Sequence, residues 1–312
     1  MRPNLGGILT VIHKILWKEG DHLTTRRTDL ALEAHELHAR GASLEGASLT
    51  ERRRAGCLVT TVRVESEAAS RTLAKPRGTY VTLDLRADPV PDADRVSQLL
   101  ALELRALFGR ELRSALVVGL GNRAMTPDLL GPLAASHVPA TRHLRADAPF
   151  RALASVGVLT PGVLGTTGLE AAELLRGAVE TVRPDAVIAL DALASQRLAR
   201  LCTTVQLADT GIVPGSGVGN HRAALTRETL GVPVYAVGVP TVVDAATLTL
   251  DVLEEAGAAC PDPAALRGHT GVMVTLRDID ARTRTLARIV GFGVALALFP
   301  ALSPADLRAL TG

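Results

Sequence analysis

Short apolar runs recur along the middle of this chain and alternate with glycine-bearing loops and stretches of helical spacing. Residues 115–120, 153–158, 186–190, 203–208 and 233–238 are continuous and rich in β-branched members, so they read as buried strands. Between them, 126–137 opens with Thr126 as a cap and Pro127 in the first turn, and another helical stretch stops before Pro184. Repeated strand–loop–helix–strand units over 115–239 predict an α/β fold: a mainly parallel sheet flanked by helices, with right-handed crossovers. Residues 57–65 and 79–85 alternate strictly and predict an antiparallel pair, an N-terminal β-strand insertion spanning 57–86. Amphipathic or buried helices are expected over 96–112, from within 240–257, and over 278–298. Residues 1–25 carry only a weak helical stripe (Leu9, Ile12, Ile15, Leu16) and read as an appendage to one α/β domain.

Composition narrows the partners. The 312 residues are 47% hydrophobic and 21% charged, ordinary for a globular protein, but only 2% aromatic. A formal charge of +2 with no basic stripe argues against a nucleic-acid surface. The apolar C-terminal run IVGFGVALALF is too short for a bilayer, and no signal peptide is recognisable, so no membrane role is expected. Cys57, Cys202 and Cys260 are widely spaced, with no paired-cysteine zinc pattern, which fits a reducing cytoplasm and no metal. GLGNRA and GSGVGN lack the dinucleotide fingerprint and no phosphate-binding loop is present, so no cofactor is expected.

Candidate chemistry lies in acids that follow strands. Asp128, Asp191 and Asp209 each come where an open α/β sheet places its crevice. Two carboxylates sharing a proton can hydrolyse a peptide: one takes a proton from water, the other protonates the carbonyl oxygen or the leaving amine. Each acid also has a structural reading. Asp128 could simply open a helix behind Pro127, and Asp209 could bind loop amides ahead of Gly211. The loop PGSGVGN, with Gly215, Ser216 and Gly217, can approach a substrate backbone closely and offer amides to it. Ser216 lacks the nucleophile-elbow pattern, and Cys202 has no neighbouring His to activate it. His143 is weighed as a satisfied polar group against a site residue.

The blocks RTDLALEAHE, VVGLGNRAMTPDLLGP, TRHL, PGVLGTTGLE, RPDAVIALDALAS, TTVQLADTGIVPGSGVGN and ETLGVPVYAVGVPTVVDA resemble, in order, those of the bacterial spore germination proteases. The resemblance covers residues 27–245. It implies an atypical aspartic endopeptidase of small acid-soluble spore proteins, with a core related to the hydrogenase-maturation peptidases. It also implies catalytic roles for Asp128 and Asp191 and a homotetrameric zymogen in the cytoplasm of the forespore, the spore core. Self-cleavage would fall between Asp29 and Leu30, making 1–29 a propeptide and 30–312 the peptidase domain. His143, Asp209, Gly215, Ser216 and Gly217 are expected to bind substrate or support the pair. Two rivals stand beside this reading: a metal-dependent peptidase using Asp128, Asp191 and His143, and a non-catalytic spore binding or assembly protein on the same fold.

Overall fold

The computed structural model describes residues 28–39, 44–86, 92–147, 150–219, 222–258, 266 and 271–311. Residues 1–27 of the propeptide-like segment, Asn220 and Cys260 therefore lie outside the described residues. The chain runs α1 (Ala31–Ala39), β1 (Ala47–Arg54), β2 (Cys57–Val64), α2 (Glu67–Leu73), β3 (Gly78–Asp84) and α3 (Ala93–Phe108). Then come β4 (Ser114–Gly119), α4 (Leu130–Ser136), β5 (Ser155–Leu159), α5 (Leu164–Thr167), α6 (Ala171–Val182), β6 (Ala186–Ser195) and β7 (Thr204–Ala208). The last elements are α7 (Arg227–Leu230), β8 (Val234–Asp244), α8 (Ala245–Glu255), β9 (Met273–Val274), α9 (Ile279–Leu298) and α10 (Pro304–Thr311).

All described strands join one sheet in the order β1-β2-β3-β7-β8-β6-β4-β5, with β9 on β8. The α/β architecture with helix-covered faces is as the pattern predicts, but the sheet is mixed. β5, β4, β6 and β8 are parallel, whereas β7 runs antiparallel to both β8 and β3. Only a short connection with a 3-10 turn joins β6 to β7, which lies beyond β8, too little chain for the dozen-residue crossover that would bring β7 back parallel to β6 and β8. The expected antiparallel pair, β2 with β3, forms as read. It is continuous with the main sheet through β3–β7, and β1 adds an edge strand on its other side.

Strand alternation divides the core between two faces. Val117, Ile188, Leu190, Val205, Leu207 and Val237 pack under α3, α4 and α9. Val118, Val187, Ala189 and Leu116 point the other way, toward α6 and α7. Toward the β1–β3 end, α1 and α2 cover that second face with Ala31, Ala34 and Leu73. Helix α3 is capped at both ends: Asp92 accepts from the Asp94 N–H (3.1 Å) and Gly109 takes φ 64°. Among the described residues, no helix is long and apolar enough to cross a membrane.

Glycines let α4 sit directly on the strand ends. A Cβ on Gly119 would lie 2.4 Å from the Gly131 carbonyl oxygen, and one on Gly131 would lie 2.3 Å from the Leu190 oxygen. Backbone cannot yield there as a flexible side chain would. Gly119→Ala is therefore expected to lower unfolding stability by about 3 kcal/mol, an overpacking cost measurable by urea denaturation.

Candidate active site

β4 leads to β5 on one side, and the chain then returns to β6 on β4's other side. The β4/β6 junction is thus the point where strand order reverses, where open α/β sheets form crevices at their carboxyl ends. β4 ends at Gly119, paired with Leu190, and both aspartates follow directly beyond that level.

Asp128 closes a 3-10 turn, Thr126–Asp128, between β4 and α4. Its carboxylate does not cap α4: no side-chain cap bond forms there, and Oδ2 instead accepts from the Asn122 N–H (2.7 Å). Gly121, at φ +118°, permits this reversal, since a Cβ would sit 2.0 Å from the Asp128 carbonyl oxygen. Asp128 does lie behind Pro127 in the turn that leads into α4, and its carboxylate binds the Asn122 amide there. The turn is held from β8 by the Thr241 hydroxyl, which donates to the Pro127 carbonyl (2.7 Å). Thr241 is the extra residue of a bulge, for Leu193 pairs with Pro240 and Ala194 with Val242. Pro240 lacks an N–H for the ladder, which favours a bulge at this position. Thr241→Val should leave the Pro127 oxygen unpaired and lower unfolding stability by about 1 kcal/mol, measurable by urea denaturation.

Asp191 lies inside β6 rather than just past it, because the strand continues to Ser195. Its side chain shares the face of Val187 and Ala189 and is only 5% exposed. Oδ1 accepts the Ala192 N–H (2.9 Å). Burial pushes its carboxyl well above the usual carboxylate range, and the negative charges of Asp128 and then Asp29 raise it further. Asp128 is also raised by burial, but the Asn122 N–H opposes the shift. Each carboxyl accepts one backbone N–H, so the pair differs in burial and in neighbouring charge, which raise Asp191 furthest.

The third carboxylate is Asp29. Its N–H donates to the Ala194 carbonyl (2.9 Å), and its Oδ2 accepts the Ala194 N–H (2.8 Å). Its Oδ1 accepts the Ser216 hydroxyl (2.6 Å). Gly217 backs onto the same group, for a Cβ there would lie 2.1 Å from Asp29 Oδ2. The glycine loop, entered through Gly215 at φ 74°, thus grips the Asp29 side chain. Leu30 is fully buried, and the adjoining α1 is fastened by Glu33, which accepts the Gln196 (2.6 Å) and Arg197 (3.0 Å) N–H groups and the Thr28 hydroxyl.

Two expected residues stand apart. His143 is exposed on the 3-10 turn Arg142–Ala146. Asp209 is exposed and accepts the Thr79 N–H (2.7 Å), tying β7 to β3 as an acid that binds a loop amide. Cys202 is buried, with its thiol pushed up to about 11, which suits packing and not attack. Among the described residues, no cluster of three or more His, Cys, Asp or Glu is arranged to hold a metal ion. Sequence reading missed Ala194, Gln206 and Lys75, which touch residues 28–31 through a backbone N–H, a side-chain amide and an ammonium.

The family model described as Germination protease matches residues 26–255. The germination protease of Caldanaerobacter subterraneus is 39% identical, over 91% of this chain and 97% of its own. That of Clostridium acetobutylicum is 36% identical over 90% and 98%, and that of Bacillus cereus 42% over 73% and 66%. Among solved structures, the hydrogenase maturation protease HycI of Thermococcus kodakarensis covers 61% of this chain and 96% of its own, at 17% identity and TM-score 0.33. With a family match over most of its length and near-full-length relatives, the chain belongs to the germination protease family and is a peptidase of spore germination.

Proposed function

We propose that the chain is an atypical aspartic endopeptidase in which Asp128 and Asp191 activate water against a peptide bond. One observation carries this: the Asp29–Leu30 segment is held near Asp191, whose carboxyl is raised well above the usual range by burial and then by the charges of Asp128 and Asp29. Asp128 takes a proton from water, and Asp191 supplies one as the bond opens. Tight holding of Asp29 supports reading the chain as a zymogen that cuts itself after that residue, leaving Leu30 as the new N-terminus. By the same geometry, substrates would present an acidic residue before the cut. Small acid-soluble spore proteins as targets, homotetrameric assembly and a spore-core location come with the family resemblance.

The test is incubation of the full chain, alone and with a spore-protein peptide, followed by mass spectrometry with and without EDTA. A new N-terminus at Leu30 and chelator-insensitive peptide cleavage are expected. Loss of both with EDTA would move the site to the metal-dependent reading, and no cleavage at all would favour the binding-protein reading.

A further inference from the structure

Two side chains outside the acids and the glycine loop converge on the carbonyl oxygen of Asp29. Lys75 follows α2, which ends at Ala74 in the left-handed region (φ 49°). Its stem is partly exposed, but its ammonium is buried and donates to the carbonyls of Asp29 (2.9 Å) and Thr28 (3.2 Å). Gln206 Nε2 donates to the same Asp29 oxygen (3.1 Å), while its Oε1 accepts the Ala31 N–H (2.7 Å). One amide thus spans the peptide groups on either side of buried Leu30. Sheet register explains the placement: Gln206 pairs with Gly238 on one flank and Asp191 pairs with Gly238 on the other. Donor and catalytic acid candidate stand in one row across the sheet.

We infer that Lys75 and Gln206 are further catalytic residues, the paired donors that stabilise the oxyanion formed when this bond is hydrolysed. The inference rests on reading Asp29–Leu30 as the bond that is cut. When water oxygen bonds to the carbonyl carbon, a water proton passes to Asp128 and the carbonyl electrons move onto the oxygen. That oxygen already touches an ammonium and an amide N–H. As the C=O re-forms, the C–N bond breaks and the Leu30 nitrogen takes the proton from Asp191. Transfer of the proton from Asp128 to Asp191 resets the pair, leaving an acid at residue 29 and an amine at residue 30. Preorganised donors in a site closed to water act most strongly on charge that develops during reaction. Burial lowers the Lys75 pKa, and the Asp29 and Glu33 carboxylates offset only part of that shift. A substrate supplied in trans would place its carbonyl where the Asp29 oxygen sits before self-cleavage.

The experiment compares self-cleavage of the full chain, by intact mass, with steady-state cleavage of an acidic peptide by the self-processed enzyme. Lys75→Met keeps the stem, and Gln206→Glu keeps the acceptor for the Ala31 N–H but removes the donor. Each is expected to lower kcat about 100-fold with KM changed less than about threefold. Lys75→Arg, which restores a cationic donor, is expected to recover at least about tenfold of that loss. Variants that raise KM with kcat unchanged, or that cleave as wild type, would overturn the inference, since they describe groups that only hold the chain. A Lys75→Arg variant no better than Lys75→Met, at equal melting temperature, would overturn it for Lys75. Failure of wild type to generate Leu30 as an N-terminus would instead sink the underlying reading of the bond, a result visible before any variant is made.

Discussion

Asp191→Asn is expected to reduce peptide cleavage by at least about 1,000-fold and, at neutral pH, to make the chain more stable than wild type. Both effects have one cause. The buried Asp191 carboxyl sits beside two other acids, Asp128 and Asp29, and is held neutral well above the pH at which a free Asp ionises. In the unfolded chain the same group loses its proton near pH ~4. Between that value and its folded pKa, the folded state binds more protons than the unfolded state, so stability falls as pH rises. An amide cannot ionise, and it can donate a hydrogen bond toward Asp128, so the variant escapes this loss. Its melting temperature should exceed that of wild type at pH 7, with the gain vanishing near pH 4. Activity has its own two limbs. Cleavage should fall at acidic pH as the carboxyl pair becomes fully protonated, and at higher pH as the proton retained chiefly by Asp191 is lost. Asp128→Asn should abolish cleavage to the same degree through the other limb, because the Asn122 N–H then faces a group that cannot take a proton from water. Peptide cleavage across pH and thermal melts at pH 4 and pH 7 would measure both. A variant that retains wild-type cleavage would end the two-carboxylate reading.

The acids were legible because each lies in a local signal: a buried apolar run ending on Asp191, and Pro127 followed by an acid. The extent of β6 past Asp191 was not, since residues 191–195 are small and carry no strong alternation. β8 likewise runs through Pro240 to Asp244, where proline argues against a central strand and the bulge at Thr241 removes the conflict. β1 escaped notice because ASLTERRR is an exposed edge strand whose arginines serve the rim and not the core. Lys75 falls between the strands expected at 57–65 and 79–85, and Gln206 within the run 203–208, and neither stands out there as a site residue. Their roles arise from pairing across more than a hundred residues for Gln206 and from a chain reversal for Lys75, and neither leaves a periodic trace. Asp209 shows the converse: its local pattern matches that of Asp191, yet β7 carries it to the Thr79 amide.

Gly217→Ala is expected to slow self-cleavage at least about 100-fold and leave the chain at full length. The added methyl would occupy a point 2.1 Å from Asp29 Oδ2 and 2.6 Å from the Ala194 Cβ. Ala194 is fixed by its strand, so Asp29 is the group that must leave. Its departure breaks the bonds from Ser216 and from the Ala194 N–H together, and moves the following carbonyl away from both its donors. A displacement of about 1 Å at a reacting centre can by itself cost about 100-fold. Ser216→Ala separates this steric effect from simple loss of a bond. It removes one hydroxyl from a carboxylate, worth about 1.5–3 kcal/mol, and should slow self-cleavage roughly 10- to 100-fold without crowding. Combining Gly217→Ala with Asp29→Gly would vacate the contested space. If the clash is the cause, that double variant should self-cleave faster than Gly217→Ala alone, though below wild type because the gripped carboxylate is gone. Intact-mass time courses of the three variants give the order directly. Wild-type processing in Gly217→Ala would mean that the Asp29 carboxylate is not held against this loop when the bond is cut.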